Sequence, residues 1–74
     1  MAHDHINHNT KYRVVITEFG KRPRIFSKCT YQYYPERSEL RIITESGAII
    51  TFIGNFSVEI MSMEDYKNYL NIQD

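Results

Sequence analysis

The stretch between Glu39 and Met61 decides the fold, and it reads ELRIITE (39–45), SG (46–47), AIITFIGN (48–55) and FSVEIM (56–61). β-branched and aromatic residues dominate it, and short turn formers separate its apolar segments, a pattern that predicts three successive β-strands. Apolar residues occupy both sides of the period-2 pattern, whereas a sheet with one face in water needs only one apolar side. The sequence therefore predicts either a barrel-like fold or a sheet whose second face a partner covers.

The residues before this stretch predict two further strands. Residues 12–19 and 25–34 alternate along the chain in the same way, and both segments again carry apolar residues on two sides. The intervening GKRPR (20–24) breaks the pattern, because glycine permits positive φ and proline removes a ladder donor. PERS (35–38) reads as a type I turn, and ESG (45–47) reads as the turn of a tight hairpin.

A short helix is predicted after the fifth strand, at about residues 63–71. Ser62 precedes Asp65 by three residues, which is a weaker form of the capping box, and acids in the first turn complement the helix dipole. The polar residues 1–10 lack periodicity and read as a flexible tail or an arm that orders on binding. Residues 11–74 then form one small β-rich domain.

These elements predict a mainly β fold with one short α-helix. We expect a curved antiparallel five-stranded meander or a small SH3-like or Sm-like barrel, with a flat sheet covered by another copy as the alternative. Much of the internal core is expected from Leu40, Ile42, Ile49, Ile53, Val58 and Ile60. The helix or another subunit is expected to cover Ile43, Ile50 and Phe52.

Chain length and cysteine content indicate that this fold needs reinforcement. A chain of 74 residues buries only roughly 60% of its unfolded surface, and disulfides, a metal or oligomerisation usually compensate. The single cysteine, Cys29, cannot form an internal disulfide. The sequence therefore predicts a homo-oligomer, with a dimer favoured, whose interface residues are Ile43, Ile50, Phe52, Tyr66 and Tyr69.

Charge and hydropathy predict a soluble cytoplasmic protein. Lys plus Arg and Asp plus Glu both number 9, so the chain lacks the basic excess that sequence-independent nucleic-acid binders usually carry. The N-terminus lacks the pattern of a signal peptide, and no apolar run approaches the roughly 20 residues of a membrane helix. An unpaired cysteine agrees with a reducing compartment.

The turn between the first two strands carries the densest positive charge of the chain, and tyrosines follow it on the second strand. The predicted partner-binding residues are Lys21, Arg22, Arg24, Tyr31, Tyr33 and Tyr34. A basic turn beside aromatic residues suits an acidic protein surface, and it equally suits single-stranded nucleic acid, whose bases stack on rings. A solvated loop that prevents edge-to-edge aggregation, beside tyrosines packed in the core, explains the same residues.

No residue grouping predicts catalysis, a cofactor or a metal site. The spacing of His3, His5 and His8 can ligate zinc, copper or nickel, but a mobile tail offers no preformed geometry. Cys29 lies mid-strand, where a buried free cysteine ordinarily behaves as a small apolar residue. We therefore expect a non-enzymatic protein–protein interaction module, such as an adaptor, inhibitor or assembly protein, acting as a homo-oligomer. The alternative is a small nucleic-acid-binding protein that uses the basic turn at 21–28.

Overall fold

The computed structural model describes residues 10–73, which form one five-stranded sheet and one helix. The strands are β1 (Tyr12–Glu18), β2 (Arg24–Tyr34), β3 (Glu39–Ile43), β4 (Ile49–Ile53) and β5 (Phe56–Ser62), followed by the helix α1 (Met63–Gln73). A short 3-10 turn, Pro35–Arg37, joins β2 to β3. The predicted mainly β class with a C-terminal helix is confirmed. Most of the predicted tail, residues 1–9, lies outside the described residues.

The sheet is antiparallel, and its spatial order is β4-β3-β2-β1-β5. The first four strands form a meander, whereas β5 pairs with β1 instead of β4, with Tyr12 opposite Ser62 and Glu18 opposite Phe56. The two edge strands are joined only by the short link Gly54–Asn55, so the sheet must curve strongly. Over residues 10–73 no ladder joins β4 to β5, so the sheet is unclosed and the closed-barrel alternative is not confirmed.

Strand β2 bends in the middle and serves a different neighbour on each side of the bend. Its N-terminal half pairs with β1, and the register shifts opposite the segment between Tyr12 and Val14. Its C-terminal half pairs with β3, from Thr30 onward. Lys28, at the bend, has φ of 56°, a conformation that is uncommon for a residue with a Cβ atom and that typifies a bulge. The bulge lets one long strand follow the curvature of the sheet.

One face of the sheet, the inner face, holds the core. Its buried apolar residues are Val14, Ile16, Cys29, Leu40, Ile42 and Phe52. The half-buried residues packed against them are Tyr12, Phe26, Tyr31, Ile50, Phe56 and Val58. Burial of each large apolar side chain contributes about 1.5–3 kcal/mol. Ile60, also predicted in the core, is 37% exposed near the end of β5 and is not a member of this cluster.

The β3–β4 hairpin has the tight turn that the sequence predicts. The Gly47 N–H donates a hydrogen bond to the Thr44 carbonyl oxygen at 2.9 Å, and the Thr44 N–H donates to the Ala48 carbonyl oxygen at 2.9 Å. Gly47 has φ of 93°, in the left-handed region that favours glycine. The loop therefore has three residues, 45–47, the last of which is the left-handed residue typical of such hairpins.

This three-residue loop reverses the predicted core face of β4. Phe52 lies opposite the buried Leu40 and is itself buried, and Ile50 packs against the core from the same side. Ile49 and Ile53 are 65% and 68% exposed, so their predicted place in the core is wrong. The predicted loop at 45–47 is the observed one, and it places Phe52 opposite Leu40 and Ile50 opposite Ile42, so the predicted core residues Ile49 and Ile53 do not fit the predicted turn. Only a loop one residue shorter would turn them inward. Phe52 also belongs to the chain's own core, where it cannot serve as an exposed interface residue.

The helix α1 packs at the β1–β5 end of the sheet. The Ser62 Oγ accepts a hydrogen bond from the Asp65 N–H at 3.0 Å, which confirms the predicted N-cap. The main contacts of α1 are with β5 and β1, where the Arg13 guanidinium carbon lies 4.5 Å from the centroid of the Tyr66 ring. Strands β3 and β4, with Ile43 and Ile50, are therefore not the surface on which the helix packs. In the part of the chain described, no helix has the length and apolarity needed to cross a membrane.

Candidate protein-interaction site

The free edge of β4 presents unpaired backbone polar groups in a regular row. Hydrogen bonds from the Thr44 N–H to the Ala48 carbonyl and from the Gly54 N–H to the Ser38 carbonyl, the latter at 3.0 Å, lie at the two ends of the β3–β4 ladder. Hydrogen-bonded pairs alternate along an antiparallel ladder. Residues 50 and 52 consequently direct their N–H and C=O groups to β3.

The residues of β4 that alternate with these two direct their backbone N–H and C=O groups away from the sheet. These three residues, which we call the β4 edge, are Ile49, Thr51 and Ile53. Their side chains share the outer face of the sheet, opposite the core, because the inward positions are taken by Ile50 and Phe52. Unpaired strand edges of this kind recruit further strands, and most proteins protect them with lysine, proline, a bulge or a covering element. The sequence of β4, IITFI, contains no charged residue, proline or glycine.

A compact charged cluster lies on the outer face beside the β4 edge. Glu39 is only 8% exposed, and its carboxylate oxygens lie 3.3 Å from the Arg37 Nε and 2.7 Å from the Arg41 Nε. Both guanidinium groups also stack over the Tyr34 ring, at 4.5 Å and 5.2 Å from its centroid. The hydrogen bond to the Glu39 carboxylate raises the pKa of the Arg41 guanidinium. The buried Glu39 carboxylate is paired with both arginines, so no uncompensated buried charge lies beside the β4 edge.

The predicted partner-binding residues separate into two groups along β2. Lys21 and Arg22 lie in the turn before β2 and Arg24 is its first residue, whereas the three tyrosines follow the bulge at Lys28. Arg24 stacks its guanidinium carbon over two core-facing rings, 5.3 Å from the Phe26 centroid and 5.2 Å from that of Phe52. It therefore caps one end of the core as well as adding charge to the turn. Lys21 has an acidic neighbour, with its Nζ 3.8 Å from the Glu18 Oε1.

The tyrosines have three different environments. Tyr31 is half-buried and packs edge-to-face against Tyr12, with ring centroids 5.1 Å apart. Tyr33 is 52% exposed on the face of Leu40, its cross-strand partner. Tyr34 lies on the opposite face within the arginine cluster, and its hydroxyl donates to the Gln32 Oε1 at 3.2 Å. The structure therefore does not bring the tyrosines together as one platform beside the basic turn.

An exposed phenylalanine that sequence reasoning missed stands next to the basic turn. Phe19 is 93% exposed at the tip of the β1–β2 hairpin. With Phe56 it lines an open depression of about 400 Å³, which Lys21 and Asn55 also border. The sequence signal was its position directly before Gly20, where the strand ends and its alternation no longer buries a side chain.

The predicted oligomer residues lie at two separate ends of the sheet. Ile43 and Ile50 are half-buried on β3 and β4, next to the β4 edge. Tyr66 and Tyr69 lie on α1, where Tyr66 is half-buried and Tyr69 is exposed. The structure does not join these pairs into one patch. The exposed isoleucines of the β4 edge adjoin Ile43 instead, because Ile43 lies directly opposite Ile49.

No chemical centre emerges from the residues that the structure describes. Cys29 is buried, with its Sγ 3.5 Å from the Tyr12 carbonyl oxygen, and burial raises the pKa of its thiol. A raised thiol pKa disfavours the thiolate that a nucleophile or metal ligand requires. Within residues 10–73 no three His, Cys, Asp or Glu side chains are placed to hold a metal ion. The predicted histidine cluster, residues 3–8, lies outside the described residues.

Comparison with known proteins gives this chain no relative. A scan of protein-family models and searches of curated proteins and of solved structures found no match.

Proposed function

We propose that this chain is a non-enzymatic protein-interaction module that acts as a homo-oligomer through its β4 edge. One observation supports this most strongly. The exposed isoleucines Ile49 and Ile53 lie at the two ends of a row of free backbone N–H and C=O groups. Each backbone hydrogen bond made there contributes about 0.5–1.5 kcal/mol net, and apolar burial adds about 25 cal/mol per Å². Both contributions require a partner strand, because the chain has no further strand to pair with this side of β4 in the described residues.

The proposal changes the interface residues that the sequence alone favoured. Ile43 stays in the set, while Ile49 and Ile53 replace Ile50 and Phe52, which the core already uses. A cytoplasmic location belongs to the same proposal, because Cys29 is an unpaired buried thiol that a reducing compartment preserves.

The experiment is to measure the mass of the full chain in solution by light scattering and sedimentation over a wide concentration range. We expect the mass to rise above 8.8 kDa toward twice that value as concentration increases. Thr51→Pro removes the central outward N–H without removing a bond to β3, so it should fold and stay monomeric. Thr51→Val keeps the N–H and serves as the matched control that still associates. A strict monomer at every concentration contradicts the proposal.

Nucleic-acid binding at the basic turn is the second candidate, and the exposure of Phe19 favours it. An exposed ring beside Lys21 and Arg22 has the composition of a single-strand platform, where a stacked base contributes about 1–3 kcal/mol. Fluorescence anisotropy with labelled single-stranded DNA and RNA tests it. Arg22→Glu and Phe19→Ala should each weaken binding about tenfold, and Arg22→Glu should reduce the salt dependence. Lys67→Glu, the same charge change on α1, is the control, and salt-insensitive or absent binding ends this candidate.

A further inference from the structure

We infer that the partner of the β4 edge is a second copy of this chain, paired β4 to β4 in antiparallel orientation about a two-fold axis at Thr51. This inference rests on the proposed function and makes it specific in partner, direction and register. The two sheets then continue into one another across the paired edges.

Hydrogen-bond alternation selects the register. In a two-fold antiparallel pair, each outward-directed residue must face an outward-directed residue of the other copy to exchange N–H···O bonds. When Thr51 lies opposite Thr51 of the second copy, Ile49 lies opposite Ile53 of that copy. Ile53 then lies opposite Ile49 of the second copy. All three residues then lie in hydrogen-bonded pairs, giving about six new backbone bonds. A shift of two residues either way moves an end residue of β4 beyond the partner strand and loses bonds.

The outer-face side chains are self-complementary in this register. Ile49 of each copy meets Ile53 of the other, so the two exposed isoleucines of β4 cover one another at both ends of the interface. The two Thr51 side chains meet at the axis, and threonine pairs across strands are favourable. Each such cross-strand pair contributes roughly 0.2–1 kcal/mol. The outward pattern Ile-x-Thr-x-Ile reads the same from either end, as an isologous interface requires.

Charge also favours a second copy, because no like charges meet in this arrangement. The β4 sequence has no charged residue. The nearest cation on the outer face is Arg41, which lies opposite Thr51 within one chain and is paired with Glu39. Three strand spacings separate the two Arg41 positions in the dimer, about 14 Å, which exceeds the screening length of about 8 Å at physiological salt. A second copy therefore approaches without the repulsion that would select a foreign, oppositely charged strand.

Symmetric disulfide trapping tests this register. Thr51→Cys in a Cys29→Ala background places two thiols in a hydrogen-bonded pair with Cα atoms about 5.5 Å apart, within the range of about 4.4–6.8 Å that disulfides span. Under mild oxidation this variant should form a covalent dimer at least about tenfold faster than Ser57→Cys on β5, because the dimer holds its thiols at high effective concentration. A parallel series that retains Cys29 guards against misfolding of the background.

Mixed variants make the test independent of any single position. Ile49→Cys and Ile53→Cys should each form little disulfide alone, and they should form a crosslinked pair when mixed. If the chain associates but Thr51→Cys does not exceed Ser57→Cys, or the mixed pair fails to crosslink, the register is wrong while the interaction module stands. If the unmodified chain is monomeric by mass, the proposed function fails and this inference fails with it.

Discussion

The two edges of the sheet, β4 and β5, offer opposite surfaces to an incoming strand. β4 is an uncharged five-residue strand with the isoleucines of its edge exposed. β5 carries Glu59 on its outer face and continues directly into α1, which packs against it. Charge and a neighbouring helix are two of the devices by which proteins protect strand edges, and only β5 has them. The sheet is therefore protected at its β5 edge and open at its β4 edge.

The backbone phase of the two edges differs as well. The Met63 N–H donates to the Lys11 carbonyl oxygen at 2.8 Å, which places the odd-numbered residues of β5 in hydrogen-bonded pairs with β1. The outward-directed residues of β5 are then the even ones, such as Val58, whose side chain packs against the core. At β4 the outward-directed residues instead carry exposed side chains. The outward-directed Ile49 and Ile53 of β4 are 65% and 68% exposed, whereas the outward-directed Ile60 of β5 is 37% exposed. Of the two edges, β4 therefore has the more exposed apolar side chains on residues with free backbone groups.

The largest effect is expected on the free energy of unfolding, when one inner-face residue is truncated on each edge strand. Phe52 is buried, with its ring centroid 6.0 Å from that of Phe26 and 6.3 Å from that of Phe56, so Phe52→Ala should lower the free energy of unfolding by about 3–5 kcal/mol. Val58→Ala, on β5, removes two half-buried methyl groups and should cost about 1 kcal/mol. Urea unfolding followed by circular dichroism measures both.

The gentler Phe52→Leu supplies a folded reference if Phe52→Ala does not fold. Equal losses for the β4 and β5 variants would contradict the assignment of Phe52 to the monomer core. They would instead indicate that both edges contribute alike to its stability.

The comparison also shows which parts of the fold the sequence encodes locally. Alternating apolar residues predict all five strands, and the Ser62–Asp65 capping pattern predicts the helix, because both signals depend only on residues close together in the chain. The predicted inner face of β4 is wrong, because the side chains that face the core depend on the register across the hairpin, and the loop at 45–47 places Phe52, not Ile53, opposite Leu40. Pairing of β5 with β1 was likewise hidden, because it joins segments distant in the chain.

The candidate site also depends on contacts and bends that neighbouring residues in the sequence do not encode. The basic turn and the tyrosines are neighbours in sequence, but the positive φ of Lys28 bends β2 between them. Ile49 and Ile53 are predicted in the core but are exposed, because their burial depends on the hairpin register and not on their own apolar character. An exposed edge is a property of the assembled sheet, and no local pattern in the sequence reports which strand will lie outermost.

The next largest effect is expected on the dimer dissociation constant, when a lysine is placed on either edge strand. Ile53→Lys introduces a cation on the β4 edge of each copy and removes both Ile49–Ile53 pairs of the dimer, so we expect the dimer dissociation constant to rise about tenfold to hundredfold. Glu59→Lys, on β5, is the matched control and should leave association unchanged. Sedimentation equilibrium measures both, and an equal weakening by the two variants would show that β4 is not the preferred edge.

Removing the cap between β5 and α1 should cost less. Ser62→Ala deletes the hydrogen bond accepted from the Asp65 N–H, and such caps contribute typically about 1 kcal/mol. Ser57→Ala removes the same hydroxyl from an exposed β5 position and should change the unfolding free energy very little. Amide hydrogen exchange in α1 should accelerate in Ser62→Ala alone. Unchanged exchange would mean that docking on β5, and not the cap, holds the first turn of the helix.

Alkaline pH should weaken the fold without distinguishing the edges, because Cys29 lies in the central strand β2. Burial raises the pKa of its thiol, so the folded chain holds this proton more tightly than the unfolded chain. The resulting stability is complete below the ordinary thiol pKa of about 8.5 and is lost as pH rises through the folded-state pKa. Urea unfolding at pH 7 and above pH 9 should show this loss, and Cys29→Ala should reduce it. An identical pH dependence in the variant would show that the loss does not come from the Cys29 thiol.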